Sequence, residues 1–173
     1  MIIIDMQNDF LHPDGGFGRR AQRQPKYQAG MSLLAQTVPM VKRLLDGFRR
    51  AGRPVVHVIM AHQPDYADAQ WPHWRHGLTA EGREFLIEGS WGARIIDELT
   101  PQRGEYVVVK KGYGGFANPA LNTILRSRDV TNLCRCRSEH GDLRVNDSAR
   151  RRRKQLSHGS CRGRGRGAMA GDA

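Results

Sequence analysis

The chain has 173 residues, and a chain of this length forms one domain that buries roughly 70% of the surface its unfolded form exposes. Hydrophobic residues make up 39% of the sequence, which is too many for a wholly disordered chain. No apolar run approaches the roughly 18 residues that a membrane helix requires, which excludes a membrane protein. Three cysteines without regular spacing argue against a secreted disulfide framework, and the short apolar start is no signal-peptide core. We therefore expect a cytosolic protein.

The net charge of +11 is unevenly distributed along the chain. Residues 1–133 carry 17 basic and 13 acidic side chains, whereas residues 134–173 carry 11 basic and 4 acidic ones. The second region has no aromatic residue and no Ile, and it contains a basic run at 150–154 and an alternating Arg-Gly run at 162–167. Such a composition cannot build a core. We expect a folded domain over residues 1–133 and a disordered tail over residues 134–173.

Apolar runs in the first region predict four buried strands, at residues 1–4, 54–60 and 106–109 and beginning again at 130–133. Continuous runs of this kind are typical of strands that are covered on both faces, as in a parallel sheet.

Helical patterns lie between these strands. Apolar residues recur at helical spacing from Leu33 to Phe48, which predicts a helix. Pro39 is typical of a first helical turn. Gly52 is typical of the residue just after a helix, so this helix should end near Ala51. A short helix capped by Ser90 is predicted before the third strand. A further helix is predicted after the third strand, with Asn118 as its N-cap and Pro119 in its first turn.

The alternation of strands and helices predicts a doubly wound α/β fold, in which a parallel sheet lies between two layers of helices. Ligands of such folds bind at the carboxyl ends of the strands, and Asp5 and Lys110 both fall there. Considered alone, an Asp in the position of Asp5 is more often a helix or loop cap, and a Lys in the position of Lys110 is usually a solvent-exposed residue at the end of a strand. The sequence has no Gly-rich phosphate loop and no zinc-type cysteine pair.

Three segments together resemble the isochorismatase-like cysteine hydrolases: residues 3–10 (IIDMQNDF), 91–100 (WGARIIDELT) and 107–116 (VVVKKGYGGF). The resemblance extends from residue 2 to about residue 133, and from residue 88 to 128 it is strongest to the ureidoacrylate and biuret amidohydrolase branch. It implies an enzyme without a cofactor, in a homo-oligomer, that cleaves a C–N bond of a small amide or ureide through a covalent thioester.

The resemblance also implies roles for individual residues. Asp5 maps onto the Asp of an Asp-Lys-Cys triad and Lys110 onto its Lys. A free thiol has a pKa of about 8.5, so a carboxylate is needed to accept its proton and a cation to favour the thiolate. Four further residues are expected to line the substrate pocket, although a core position is at least as good an interpretation of Phe116: Gln7, Phe10, Tyr113 and Phe116.

Some relatives hold a metal through an Asp and several His near the second strand. Here His57 and His62 flank the end of that strand without the Asp-x-His pattern. We therefore expect no metal, and we interpret each histidine as a satisfied core or surface residue.

The nucleophile that the resemblance requires is missing. In this family the cysteine follows the fourth strand, within a phrase of the form Gly-Val-x-Thr-x-x-Cys-Val, and no such phrase occurs here. Cys134 and Cys136 come too early, within or just beyond the fourth strand, and Cys161 lies in the basic tail.

A change of reading frame accounts for the loss. When residues 134–165 are written as degenerate codons and read one nucleotide later, the code permits Cys-Val-Ser-Thr-Thr-Ala-Arg from position 143. In the same register it permits Asn-Asn-Tyr-Arg-Thr-Val-Val-Val-Glu-Asp-Ala from position 154. We hypothesise a frameshift near Leu133. The sheet would then be incomplete, with an unpaired edge, and the chain would be inactive.

Two alternatives remain open. The tail could be an evolved Arg/Gly-rich arm that binds RNA through phosphate contacts, although it lacks aromatic residues on which bases could stack. The chain could instead be an inactive binding protein that keeps the pocket.

Overall fold

The computed structural model describes residues 1–70 and 84–137, together with the backbone of residues 157–160. The sequence predicts a disordered tail from residue 134. Beyond Arg137, all residues of this tail except 157–160 lie outside the described part of the chain. Within the described residues, no helix is both long and apolar enough to cross a membrane.

The described residues include five strands, which form one sheet in the order β3-β2-β1-β4-β5, and all neighbouring strands are parallel. The strands are β1 (Ile2–Ile4), β2 (Val56–Met60), β3 (Tyr106–Lys110), β4 (Asn132–Arg137) and β5 (Ser157–Ser160). This confirms the predicted parallel α/β fold, and all three complete strand predictions coincide with observed strands.

Four α-helices and three 3₁₀ turns connect the strands in the described ranges. The helices are α1 (Asn8–Leu11), α2 (Gly16–Arg23), α3 (Gln28–Arg50) and α4 (Pro119–Ser127); the 3₁₀ turns are Pro25–Tyr27, Asp97–Leu99 and Gly115–Ala117. The side chain of Asn118 accepts a 2.9 Å hydrogen bond from the backbone N–H of Ala120, which confirms the predicted N-cap of α4.

The core has two parts, one on each face of the sheet. On one face, Ile3 packs with the α3 residues Leu34, Val41 and Leu45. On the other face, alternate residues of β1 and β2 pack against Leu121 and Leu125 of α4. These strand residues are Ile2, Ile4, Val56 and Val58. The sheet is thus covered by α3 on one side and α4 on the other, as the layered prediction required.

The position predicted for Pro39 is wrong. The helix α3 begins at Gln28, so Pro39 lies inside it and not in its first turn. Pro39 is exposed, and so is Ala35, the residue four positions earlier, whose carbonyl loses its helical partner because proline has no N–H. Water can therefore satisfy that carbonyl, and the helix continues. Its end at Arg50 agrees with the prediction, and Gly52 follows with a φ of 60°.

Two other predictions need correction. The segment after Ser90 is a series of turns that ends in a single 3₁₀ turn, in place of the predicted helix; Ser90 accepts a 3.2 Å hydrogen bond from Ala93 N–H. The fourth strand begins at Asn132, two residues later than predicted, and it continues to Arg137. Asp129 has a φ of 48°, so the turn out of α4 occupies the residues just before the strand.

Candidate active site

Asp5 and Lys110 form a buried ion pair at the carboxyl edge of the sheet. Lys110 is the last residue of β3, Asp5 follows β1, and β2 lies between these two strands. The Nζ atom of Lys110 lies 2.8 Å from Oδ2 of Asp5, and the two residues are only 3% and 2% exposed. Lys110 also donates to the carbonyl of Tyr113 at 3.3 Å. The structure therefore brings together the two residues that the sequence singled out.

The backbone turns sharply at Asp5. Its N–H still donates to the carbonyl of Val58 in β2, at 2.9 Å, but its φ is 59°, in the left-handed region. Asp and Asn adopt this conformation more readily than other residues with a side chain. The turn ends β1 and leaves the carboxylate of Asp5 beside Lys110.

Burial raises the pKa of the Asp5 carboxyl, and the ammonium of Lys110 opposes this effect. Arg137, at the end of β4, opposes it to a smaller extent. A carboxyl with a raised pKa binds a proton more readily, so it is better suited to accept one from a weak acid. The ammonium beside it supplies a positive charge that would stabilise a neighbouring anion.

Gln7 lies close to this site in the chain and is completely buried. Its amide N–H groups donate to the carbonyls of Met60 and Ala93, both at 2.7 Å, and its amide oxygen accepts from Met60 N–H at 2.8 Å. The amide thus ties the end of β2 to the loop before the Asp97–Leu99 turn. This geometry favours a role in holding the site together over the predicted contact with substrate.

Asn8 and Asp9 extend the same set of contacts. Asn8 donates from its side chain to the carbonyl of Trp91 at 2.9 Å. The carboxylate of Asp9, which is 3% exposed, accepts from the N–H groups of Gly16 at 2.9 Å and Leu86 at 2.6 Å. A Cβ on Gly92 would lie 2.3 Å from that carboxylate, so only glycine fits there. Asp9 therefore joins the start of α2 to Leu86, which is far away in sequence.

Sequence reasoning missed Asp9. The available signal was a run of three polar residues, 7–9, directly after a buried strand and before the apolar pair at 10–11. Because these residues bond to segment 86–94, their role depends on partners about 80 residues away.

The aromatic residues predicted to line the pocket divide between the two faces of the sheet. Phe10 is buried and makes edge-to-face contacts with Phe17 and Phe85, with ring centroids 5.3 and 5.5 Å apart. Tyr113 packs partly buried against the core on the same side as Phe10, whereas Phe116 packs against the α4 side. The structure thus places Phe10 and Tyr113 in one cluster and Phe116 in the other.

Cys134 and Cys136 lie within β4, as the sequence indicated. Cys136 is paired with Ile3 in the register, and both cysteines pack on the α3 side of the sheet. A residue paired with Asp5 would come after Arg137, because Arg137 is paired with Ile4. Neither cysteine therefore occupies the strand end where Asp5 and Lys110 meet. Cys161 lies outside the described residues.

The two histidines near β2 contact carboxylates, and burial lowers the pKa of both imidazoles. The Nε2 atom of His57 lies 3.1 Å from Glu105, and the Nδ1 atom of His62 lies 3.4 Å from Asp68. Among residues 1–70 and 84–137, no group of three His, Cys, Asp or Glu side chains could hold a metal ion.

Comparison with known proteins identifies the family. The model of the isochorismatase domain family matches residues 1–136. The ureidoacrylate amidohydrolase RutB of Agrobacterium fabrum is 30% identical over 144 residues, which cover 77% of this chain and 60% of that protein. RutB of Rhizobium rhizogenes is 31% identical over 144 residues, which cover 77% of this chain and 56% of that protein. The chain thus spans about six tenths of the length of the curated relatives it matches.

Solved structures agree with this result. An isochorismatase family protein from Desulfovibrio vulgaris subsp. vulgaris str. Hildenborough has a TM-score of 0.63 and 35% identity, and the match covers 77% of this chain and 63% of that one. N-carbamoylsarcosine amidase from Thermoplasma acidophilum has a TM-score of 0.55 and 30% identity, and the match covers 79% of this chain and 65% of that one. The chain belongs to the isochorismatase family.

Proposed function

We propose that this chain derives from an enzyme that hydrolyses a C–N bond of a small amide or ureide, and that its nucleophile is lost from the present reading frame after about Leu133. The observation that supports this most directly is the buried ion pair of Asp5 and Lys110 at the carboxyl edge of the sheet. A buried pair of this kind is costly to maintain, and it supplies a base and a cation in one place.

The chemistry follows from this pair. A cysteine placed between the two side chains would give its proton to the carboxylate of Asp5, and the ammonium of Lys110 would stabilise the thiolate. The thiolate would attack the carbonyl carbon and form a C–S bond. The C–N bond would then break, and the leaving nitrogen would take the proton from Asp5. Water would hydrolyse the thioester, release the acid and restore the thiol.

The side chains of β4 support a loss of frame near its start. Leu133 packs with the apolar face of the sheet that contacts α4. Since alternate residues of a strand share a face, Arg135 and Arg137 project on that same side, beside Ile2 and Ile4. Both side chains are partly buried, and arginine is uncommon at strand positions that alternate with core residues. A change of reading frame within β4 would explain why two arginines lie on an apolar face.

Two further observations support the same break. The family match ends at residue 136, within β4. The backbone of Ser157–Ser160 pairs in parallel with β4, and these positions overlap the Thr-Val-Val-Val run of the alternative reading. A run of that composition is typical of a buried parallel strand, whereas Ser-His-Gly-Ser is not.

We infer a ureide as the substrate class from the names of the relatives. Ureidoacrylate and N-carbamoylsarcosine each carry a carbamoyl group on nitrogen, and the proteins named for them are 28–31% identical to this chain. In a ureide the carbonyl carbon lies between two nitrogens, so attack by a thiolate gives the C–N cleavage described above.

The coding DNA tests this proposal. Its sequence should be determined from codon 125 to beyond codon 165. A protein with the restored frame should be assayed with ureidoacrylate and N-carbamoylsarcosine beside the present chain. We expect turnover from the restored protein alone, and its loss in both Lys110→Met and a variant without the restored cysteine. A confirmed frame together with turnover by the present chain would contradict the proposal.

A further inference from the structure

A basic cleft lies at the amino ends of the strands, at the opposite end of the sheet from the Asp5–Lys110 pair. It has a volume of about 270 Å³ and is formed by the end of α3, the turn before β2, the turn before β3 and the residue after α4. Four arginines contribute to its walls: Arg49, Arg53, Arg103 and Arg128. Tyr106 at this edge and Lys110 at the other are separated by four strand residues, or roughly 13 Å. A ligand in the cleft would therefore not contact the candidate active site.

The cleft has an excess of positive charge. Glu105 is the one carboxylate among its lining residues in the described part of the chain. That carboxylate is occupied: Arg49 donates to both of its oxygens at 2.8 and 2.9 Å, and Gln102 N–H donates at 2.9 Å. Glu105 thus neutralises Arg49, and the charges of Arg53, Arg103 and Arg128 remain.

Two of the arginines are held in place by neighbouring groups. Arg49 is fixed by its paired contact with Glu105 and by a 2.9 Å hydrogen bond to the carbonyl of Thr100. Arg128 donates from Nε to the hydroxyl of Tyr106 at 2.9 Å, and its guanidinium lies 5.5 Å from the centre of that ring. Binding an anion would therefore require less ordering of these side chains than on an open surface.

We propose that this cleft binds a small phosphorylated anion. A guanidinium presents planar, forked donors that match phosphate oxygens, and three such groups without a carboxylate partner among the cleft's described residues suit a ligand with two or more negative charges. This site is independent of the C–N hydrolysis proposed above, since it uses none of the same residues.

Titration of the full chain with inorganic pyrophosphate, at constant ionic strength and followed by calorimetry, tests the proposal. The variant Arg53→Ala/Arg103→Ala removes two charges from the cleft and should weaken binding at least about tenfold. The control Arg23→Ala/Arg43→Ala removes two arginines from α2 and α3, outside the cleft, and should change affinity less than about twofold.

A third variant separates an organised site from general charge attraction. Tyr106→Phe removes the hydroxyl that holds Arg128 but leaves the net charge unchanged, and we expect about threefold weaker binding. Far-UV circular dichroism checks that each variant is folded. Equal weakening by the cleft pair and the control pair, or no weakening by either, would overturn the proposal, because the basic tail would then account for any binding.

Discussion

Cys136 lies beside Ile3 in the sheet, two residues short of the position that would pair with Asp5. Two strand residues correspond to about 6.6 Å along the strand, and Cys136 packs towards α3. The thiol is therefore a core group, below the edge where the ion pair lies.

From this position we predict that neither cysteine of β4 supports hydrolysis. Cys134→Ala and Cys136→Ala should leave the hydrolysis of ureidoacrylate by this chain at background. Cys136→Ala should lower the free energy of unfolding by about 1 kcal/mol, because its side chain is buried. Urea unfolding and an ammonia-release assay measure the two effects. Robust turnover that disappears in either variant would refute the argument.

Replacing only one member of the buried ion pair should destabilise the fold more than replacing both members with uncharged residues. Lys110→Met leaves the carboxylate of Asp5 buried without its ammonium, and we expect a loss of about 3 to 5 kcal/mol in the free energy of unfolding. The double variant Asp5→Asn/Lys110→Met should recover at least half of this loss, because no charge remains buried and Asn tolerates the φ of 59°. Urea unfolding of both variants measures the difference. A double variant less stable than Lys110→Met would contradict this prediction, because it would show that the Asp5 carboxylate stabilises the fold even without the ammonium.

Glu105 should make stability depend on acid pH. Despite partial burial, its hydrogen bonds from Arg49 and Gln102 N–H lower the pKa of this carboxyl to about 2, from 4.5. Because the folded pKa lies below the unfolded one, the stabilisation is complete above pH 4.5 and is lost as the pH falls towards 2.

We expect the stability difference between the present chain and Glu105→Gln to shrink by about 2 to 3 kcal/mol between about pH 6 and about pH 2.5. Urea unfolding across this range measures it. The control Glu98→Gln removes the same charge from an exposed carboxyl in the Asp97–Leu99 turn. Parallel behaviour of the two variants would exclude a special role for Glu105.

Gln7→Glu tests whether this residue holds the fold or contacts substrate. The replacement has the same shape, but it turns a carboxylate towards the carbonyls of Met60 and Ala93 and removes both donors. We expect a loss of at least about 3 kcal/mol in the free energy of unfolding, measured with urea. If stability is unchanged, the amide is not needed for the fold and the prediction of a substrate contact regains support.

Asp9→Ala should destabilise the chain by about 2 to 3 kcal/mol. It leaves the buried N–H of Leu86 without its 2.6 Å partner and removes the acceptor at the start of α2. Thermal unfolding followed by far-UV circular dichroism measures the loss. Asp14→Ala, in an exposed turn next to α2, is the matched control and should change stability by less than about 0.5 kcal/mol.

The elements that could be predicted are those with a local cause. The continuous apolar runs of β1, β2 and β3 identify strands of a parallel sheet, and the rule that parallel strands end at one edge brings Asp5 to Lys110. Asn118 and Pro119 identify the start of α4 because capping involves only neighbouring residues.

The features that the sequence did not reveal depend on distant contacts or on exposure. Pro39 is tolerated in α3 because that part of the helix faces solvent, and the sequence around it does not reveal this. The amide of Gln7 is equally compatible with a substrate and with the backbone of Ala93, and only the fold decides between them. The structure thus gives Gln7 and Asp9 a supporting position that no local pattern indicates.

The position of β1 affects the time course of folding. Among the described strands β1 is made first, yet it lies in the middle of the sheet, and its neighbour β4 is made only after β2 and β3. During synthesis β1 therefore has one open edge until Arg137 has emerged, and pairings between such distant segments form slowly. The change of frame proposed above would alter the strand that closes this edge of β1. The edge of β1 would thus stay open for longer in the nascent chain, and a chain with this open edge is exposed to aggregation and to proteases.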